Sequence, residues 1–295
     1  MRVLVTGATG YIGSVVCELL QKAGHQALGL ARTEDKARLL ESKGHIAVRG
    51  SLGDTDGLRA AAIAADGVIH AAMEFGPSAG ATDRAAVVAL IEALAGTGKA
   101  LVYSSGVWVM GDTKGQLKGE VSALAPAPMV AWRPAIEELV LDAKDRGVKS
   151  VVLRPGTVFG RNSGRVATMF QDARGLGLVR VIGSGENHWS TIHVDDLADL
   201  YVRAITNPAP GELFIACGGM PQPVGKIAWA VAKACGLDGK VELIPLEAVR
   251  AQMGPLADCL AMDCRAGSTK AARYFGWTVR KPSIFDEIFS GSYLS

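Results

Sequence analysis

A glycine-rich segment near the N-terminus constrains the fold of this chain more than any other feature. Residues 2–6 form a short apolar, β-branched run, residues 6–13 (TGATGYIG) follow it, and an apolar pattern with helical spacing comes next. Gly7 permits a tight turn, Gly10 allows a ligand to approach the backbone, and Gly13 allows the helix to pack closely on the strand. Because a helix N-terminus offers free N–H groups and the positive end of its dipole, this turn is predicted to bind phosphate.

The alternation of strand and helix continues along the first half of the chain. The predicted strands are 2–6, 26–31, 46–48, 67–71, 100–104 and 150–153, and the predicted helices are 11–23, 34–42, 56–65, 82–95 and 137–145. Strictly alternating units indicate a parallel sheet with helices on both faces. We therefore predict the α/β class, with a Rossmann-type doubly wound parallel sheet and a smaller C-terminal substrate-binding lobe.

The pattern becomes irregular after Pro155. Helices are predicted near 165–175, 195–206, 223–235 and 246–253, and short strands near 179–182, 212–216 and 241–244. We divide the chain into a Rossmann domain at 1–158 and a substrate-binding lobe at 159–295. Residues 195–216 are expected to pack back on the Rossmann domain.

Composition limits the partners and the location. Hydrophobic residues make up 49% of the 295 residues and charged residues 20%, so a sizeable core is expected. The net charge is +2, with no basic stripe interleaved with aromatics, and we expect no nucleic-acid partner. The five cysteines are scattered without CxxC spacing, no signal peptide precedes the first strand and no run of about 18 apolar residues exists. These patterns predict a cytoplasmic protein without membrane association, disulfides or a bound metal.

The glycine spacing is Gly-x-x-Gly-x-x-Gly, and with this spacing the segment resembles the short-chain dehydrogenase/reductase superfamily, in its extended and atypical branch of NAD(P)-dependent epimerases, dehydratases and reductases. Residues 51–54, 70–72, 103–111, 153–160 and 192–198 are similar to further segments of that branch. The resemblance implies a nicotinamide cofactor and a possible homodimer formed through the helices at 82–95 and 137–145. The implied cofactor-binding residues are Gly7, Gly10, Tyr11, Ile12, Gly13, Ser51, Leu52, Ala71, Ala72, Ser104, Arg133, Pro155, Gly156, Thr157 and Val158.

The end of the second strand bears on the choice between the two nicotinamide cofactors. NAD-binding proteins place a carboxylate there for the ribose 2′-hydroxyl, but this strand ends at Ala31 and Arg32. Arg32, helped by Lys36, is suited to hold a 2′-phosphate by charge-assisted hydrogen bonds. We therefore expect Arg32 to bind the cofactor and the cofactor to be NADP(H), with NAD(H) as the alternative if Arg32 is an ordinary surface cation.

The usual catalytic residues of the resembled family are missing. Its Tyr-x-x-x-Lys motif exchanges a proton and holds the nicotinamide ribose. Alignment on Glu137 places Arg133 at the lysine position and Met129 at the tyrosine position, and Gly106 takes the place of the usual hydroxyl residue. Methionine cannot exchange a proton, and arginine stays charged but can bind ribose hydroxyls. The chain therefore resembles members that keep the cofactor site and lack the standard active site.

Other residues are candidates for the missing role. We predict Ser105, Arg133 and His188 as catalytic residues, with Ser105 near the nicotinamide and His188 in a loop that approaches substrate in relatives. Loop carboxylates Asp112 and Glu120 are weaker candidates. Trp108 and Trp132 either shape an apolar pocket or belong to the core. His193 is expected to act in packing or capping, and Asp195 and Asp196 are expected to cap the helix.

Three functions fit these observations. The first is an NADP-dependent oxidoreductase acting by hydride transfer on a small organic carbonyl, alcohol or imine, with a non-standard proton donor. The second is a sugar-nucleotide epimerase or dehydratase, which the missing Tyr and Lys disfavour. The third is a non-catalytic NADP-binding regulator or scaffold, because a protein can keep an enzyme fold without the catalytic activity.

Overall fold

The computed structural model describes residues 1–294. The strands are β1 (Arg2–Thr6), β2 (Gln26–Ala31), β3 (Ile46–Arg49), β4 (Gly67–His70), β5 (Ala100–Ser104), β6 (Lys149–Pro155), β7 (Thr157–Gly160), β8 (Val179–Ile182), β9 (His188–Trp189), β10 (Thr191–His193), β11 (Glu212–Ala216), β12 (Gln222–Pro223) and β13 (Val241–Ile244). The helices are α1 (Tyr11–Lys22), α2 (Glu34–Ser42), α3 (Thr55–Ala64), α4 (Ala79–Leu94), α5 (Arg133–Asp142), α6 (Gly164–Leu176), α7 (Val194–Thr206), α8 (Val224–Ala234), α9 (Leu246–Met253), α10 (Pro255–Ala261), α11 (Lys270–Phe275) and α12 (Ile284–Ser290).

Seven parallel strands form the main sheet, in the order β11-β6-β5-β4-β1-β2-β3. This arrangement confirms the Rossmann-type α/β prediction. The strand order reverses between β1 and β4, so the connections after these two strands leave toward opposite sides. In open sheets of this type, ligands bind beyond the carboxyl ends of the strands at such a switch point. The glycine-rich turn lies there, directly after β1.

Side chains of β1 alternate between the two faces of the sheet, as expected for a strand covered on both sides. Val3 and Val5 belong to one buried cluster with α1 and α7, whereas Leu4 belongs to a second cluster with α3, α4 and α5. All three side chains are fully buried. Burial of such a side chain stabilises the fold by about 1.5–3 kcal/mol, so both helical layers hold the sheet firmly.

The segment after β6 contributes to both parts of the molecule. Helix α7 packs on α1 and buries Leu197, Leu200 and Tyr201 in the β1 cluster, and β11 pairs with β6 at one edge of the main sheet. A separate apolar cluster holds α6, α8 and β8 together, with Phe170 and Ile227 at its centre. Strand β8 pairs in parallel with β13 beside this cluster.

The predicted helices and strands of the second half are confirmed within a few residues, but several short elements were not predicted. These are β7, β9, β10, β12, α10, α11 and α12, all between two and seven residues long. A segment this short does not complete enough periods to show a hydrophobic pattern. None of the helices within residues 1–294 combines the length and apolar character needed to cross a bilayer.

Candidate functional site

The glycine-rich turn is shaped for close backbone approach. Gly7 has φ +71°, and a Cβ there would lie 2.8 Å from the oxygen of Ala71 and 2.9 Å from the nitrogen of Ala72. A Cβ on Gly13 would lie 2.2 Å from the oxygen of Gly7. Gly10 precedes α1, and no side chain caps that helix. The first N–H groups of α1 are therefore available to an anion, as a dinucleotide phosphate requires.

A cavity of about 530 Å³ opens beside this turn. Many of the residues predicted for the site line it, namely Tyr11, Ile12, Ser105, Arg133, Pro155, Gly156, Thr157 and Val158. Met73, Trp108, Val130, Arg165 and Thr168 also line it. The structure thus brings the end of β5, the start of α5 and the β6–β7 segment together next to the phosphate-binding turn.

The other predicted cofactor residues lie around the turn and along its edge. Ala71 and Ala72 follow β4 and press against Gly7, and Ala72 N–H donates to Thr6 Oγ1 at 3.2 Å. Leu52 is buried in the cluster on the α3 side of the sheet, next to half-buried Ser51. Ser104 is the last residue of β5, and its carbonyl accepts a hydrogen bond from the guanidinium of Arg133 at 2.5 Å.

Arg133 is the first residue of α5 and is buried. Its guanidinium carbon lies 4.8 Å from the ring centroid of Trp132 and 5.9 Å from that of Tyr103, so aromatic rings hold the charge in place. The bond to Ser104 uses one of its five N–H donors. The remaining donors can hydrogen-bond to hydroxyl groups of a ligand in the cavity.

Ser105 is another residue of the cavity wall. Its backbone N–H donates to the oxygen of Leu153 at 2.8 Å, which fixes the residue between β5 and β6. Its Oγ is buried and has no hydrogen-bond partner among the described residues. An unsatisfied buried hydroxyl costs about 1–3 kcal/mol, and any hydrogen bond that it gained on ligand binding would reduce that cost.

No tyrosine near the cavity replaces the missing catalytic one. Tyr11 donates its hydroxyl proton to the oxygen of Gly160 at 2.7 Å, and Tyr103 donates to Asp83 Oδ2 at 2.7 Å. Tyr201 is fully buried against the hydroxyl of Ser104, and burial raises the pKa of Tyr201 to about 12. Burial also raises the pKa of Tyr11 and of Tyr103. These three hydroxyl groups already form hydrogen bonds within the protein, and their raised pKa values make them poorly suited to proton exchange.

A buried chain of hydrogen-bonded side chains lies beside the glycine-rich turn. We call it the His70–Asp83 network; it consists of Thr6, His70, Asp83 and Tyr103. Thr6 Oγ1 lies 2.7 Å from His70 Nδ1, and His70 Nε2 lies 2.8 Å from Asp83 Oδ1. A carboxylate only accepts, so Nε2 carries the hydrogen and Nδ1 accepts from Thr6. Burial opposes ionisation of Asp83, but hydrogen bonds from His70 and Tyr103 and the charge of Arg133 outweigh it and lower the pKa of Asp83. The sequence analysis missed this network.

His188 is not among the residues that line the cavity. It lies in β9, where its N–H donates to Asp263 Oδ1 at 2.8 Å and its Nδ1 lies 3.0 Å from Arg265 Nη2. These contacts join β9 to residues 263–265. The structure therefore places His188 in a different cluster from Ser105 and Arg133.

The other candidates from the sequence also have structural partners. Asp112 accepts from the N–H of Lys114, and Glu120 accepts from the N–H of Ile215. His193 Nδ1 accepts from the N–H of Asp195 at the start of α7, which confirms a capping role. Asp196 accepts from the N–H groups of residues 280 and 281.

Arg32 is exposed just beyond the end of β2, and its Nη1 lies 3.6 Å from Glu74 Oε1. This separation is longer than a hydrogen bond, so the pair is a loose surface contact. Lys36 forms no ion pair within residues 1–294. Both cations are therefore free to turn toward an added phosphate.

The sequence analysis also missed Arg165 and Thr168. They lie three residues apart on α6, and both line a second cavity of about 260 Å³ as well as the first. One sequence signal could have found them. They are spaced i, i+3 at the start of the helix that follows residues 153–160, and this spacing places two side chains on one face of a helix.

Comparison with known proteins finds relatives of similar sequence. The model of the family described as "NAD dependent epimerase/dehydratase family" matches residues 3–216. The protein C2A9.02 of Schizosaccharomyces pombe is 31% identical over 99% of this chain and 100% of its own length. The 2-alkyl-3-oxoalkanoate reductase of Stenotrophomonas maltophilia is 27% identical over 80% of this chain and 76% of its own.

The fold has a solved counterpart in UDP-glucose 4-epimerase of Thermus thermophilus, crystallised in complex with NAD. It superposes with a TM-score of 0.80 and 22% identity over 100% of this chain and 99% of the other. The match extends from the glycine-rich turn into the C-terminal lobe. On the sequence match across residues 3–216, this chain belongs to the NAD dependent epimerase/dehydratase family.

Proposed function

We propose that this protein is an NADP(H)-dependent oxidoreductase that acts on a small organic carbonyl, alcohol or imine. The observation that carries the proposal is the buried, unpartnered hydroxyl of Ser105, a residue that lines the cavity beside the phosphate-binding turn. A related protein of Stenotrophomonas maltophilia, named a 2-alkyl-3-oxoalkanoate reductase, supports reduction of a carbonyl compound.

A bound nicotinamide cofactor would supply a hydride to the carbonyl carbon, and the carbonyl oxygen would take a proton. In this arrangement Ser105 donates a hydrogen bond to that oxygen, and solvent replaces the proton that the hydroxyl passes on. Arg133 binds the ribose hydroxyls and keeps its own proton, because a guanidinium does not deprotonate in proteins. Trp108 and Val130 make the cavity wall apolar, which strengthens these polar contacts.

The preference for NADP(H) rests on the end of β2. Arg32 and Lys36 follow that strand and are the cations that we expect to hold a 2′-phosphate, for which the loose contact of Arg32 with Glu74 can exchange. Ala31 offers no carboxylate to a free 2′-hydroxyl.

Calorimetric titration with NADPH and NADH tests the cofactor assignment. Wild type should bind NADPH more tightly than NADH. Arg32→Ala should lower the affinity for NADPH at least about tenfold, which corresponds to about 1.4 kcal/mol, and leave the affinity for NADH unchanged. Arg38→Ala is the control, because Arg38 is exposed on α2 and pairs with Asp35. Tighter binding of NADH would overturn the preference.

A panel of carbonyl and imine substrates then tests the reaction. NADPH consumption with product formation supports the oxidoreductase. Isomerisation or dehydration without net change of the cofactor would identify an epimerase or dehydratase instead. Cofactor binding that alters the affinity of a partner protein, without turnover, would identify a regulator.

A further inference from the structure

The second cavity adjoins the first, because Arg165 and Thr168 line both. It lies between α6, β8 and α9 and has a volume of about 260 Å³. Most of its wall is apolar, with Met169, Ile182, Trp189 and Leu260 among the lining residues. A ligand that reaches from the Ser105 corner past Arg165 therefore enters an apolar chamber.

Arg165 is the unpaired charge at the junction of the two cavities. The other cations in the two walls are engaged, since Arg133 donates to Ser104 and Arg180 forms two hydrogen bonds to Asp172 at 3.1 and 2.7 Å. Arg165 has neither a hydrogen bond nor an ion pair within residues 1–294. Partial burial without a carboxylate partner lowers the pKa of Arg165, so its charge gains from an anionic ligand.

The backbone around Arg165 also favours an anion. Arg165 is the second residue of α6, and Ser163 precedes the helix without capping it through its side chain. The free N–H groups of this first turn and the helix dipole add positive potential beside the guanidinium. A planar guanidinium matches a carboxylate with two parallel hydrogen bonds.

We propose that Arg165 binds the carboxylate of an oxo- or hydroxy-acid substrate, and that the substrate's apolar chain occupies the second cavity. This assignment rests on the proposed reductase function and names its substrate class. A nucleotide diphosphate is a poorer match for these walls, because it brings several charges and a polar base to a chamber with one unpaired cation and mostly apolar side chains.

Calorimetry with unreactive acids tests this assignment separately from turnover. Hexanoate and octanoate, with hexanamide and octanamide as neutral matches, are titrated into the full-length protein with and without NADP⁺. The acids should bind at least about tenfold more tightly than the amides, as expected for a charge-assisted pair. Each added methylene should tighten binding about fourfold, which corresponds to about 0.8 kcal/mol.

Variants distinguish the contribution of the Arg165 charge to binding from that of the apolar second cavity. Arg165→Gln should abolish the preference for acid over amide, and Arg165→Lys should restore part of it. Arg84→Gln is the matched control, because Arg84 is an exposed, unpaired arginine on α4 outside both cavities. Ala248→Phe fills the chamber from the exposed side of α9 and should remove the dependence on chain length without disturbing the core.

Several results would overturn the assignment. Equal binding of acid and amide would do so, as would acid binding that Arg165→Gln leaves unchanged. UDP or inorganic phosphate binding through Arg165 more tightly than octanoate would assign the site to a phosphate ligand. If the acids bind as expected but no oxo-acid is reduced with NADPH, Arg165 is still a carboxylate-binding residue, but the proposed reductase function, and with it the substrate class, fails.

Discussion

Two groups of buried or half-buried polar side chains differ in where their hydrogen-bond partners come from. In the His70–Asp83 network and in the pair between Glu137 and Arg154, both oxygens of each carboxylate accept a hydrogen bond from the protein. At the cavities, the Oγ of Ser105 and the guanidinium of Arg165 have no such partner within residues 1–294. The first group stabilises the fold through its paired carboxylates, whereas the second group belongs to residues of the cavity walls and keeps hydrogen-bonding capacity for a ligand.

Removal of the Glu137 carboxylate gives the largest expected effect. Arg154 Nε donates to Glu137 Oε1 at 3.0 Å, and both residues are buried between α5 and β6. Glu137→Ala leaves a buried guanidinium without a counter-ion and should lower the free energy of unfolding by about 3–5 kcal/mol. Urea denaturation measures this loss. The exposed neighbour Glu138→Ala should change it by less than about 0.5 kcal/mol, and equal losses would contradict the distinction.

Ser105→Ala should act on the reaction and not on the fold. Loss of a hydrogen bond to the developing charge should raise the barrier by about 1.5–3 kcal/mol, seen as a lower kcat/KM for carbonyl reduction. The urea midpoint should stay the same or rise, because the hydroxyl has no partner in the protein. Ser104→Ala provides the contrast, since its hydroxyl contacts Tyr201 and its loss should reduce stability. A destabilised Ser105→Ala protein with normal turnover would reverse the assignment.

Asp83→Asn breaks the His70–Asp83 network with little change of shape. An amide cannot accept from both His70 and Tyr103, so stability at neutral pH should fall by about 1–2 kcal/mol. The pKa of Asp83 is lowered in the fold, so its contribution is present above the ordinary carboxyl pKa and is lost as pH falls through the lowered value. Urea midpoints of wild type and variant should therefore converge in acid. Exposed Asp56→Asn should show no such convergence.

Glu74→Gln should have the smallest effect and the opposite sign. It removes the carboxylate 3.6 Å from Arg32, which leaves the guanidinium free for a 2′-phosphate. NADPH binding should tighten by up to about fivefold, within the range of about 1 kcal/mol for an exposed pair, and NADH binding should stay constant. Weaker NADPH binding in calorimetry would show that Glu74 supports the cofactor.

The features that sequence predicted best are local ones. The turn at residues 6–13 and the alternating elements follow from glycine spacing and hydrophobic runs within a few residues of each other. The sequence analysis could predict that the usual Tyr and Lys are missing and that Arg133 lies in their helix, because the family motif fixes where those two residues would stand in the sequence. The structure places Arg133 in the cavity wall at the start of α5, and its role there stays a prediction.

Features that depend on distant contacts escaped prediction. His188 is held by Asp263 and Arg265, which are some 75 residues away in sequence, so no local pattern shows that these partners occupy it. Arg165 stands out only because the fold brings it no carboxylate. The absence of a partner is a property of the packed structure and leaves no trace in spacing or composition.

The covering of the main sheet by α7 has a consequence for synthesis of the chain. Val3, Val5 and α1 are made first, but Leu197, Leu200 and Tyr201, which pack in the same cluster, are made much later. At about 5–20 residues per second, this interval is on the order of 10–40 s. During this time the part of the sheet face that α7 will cover stays exposed, so a fragment ending at residue 158 should aggregate, and ribosome-associated chaperones would find their binding surface on that part.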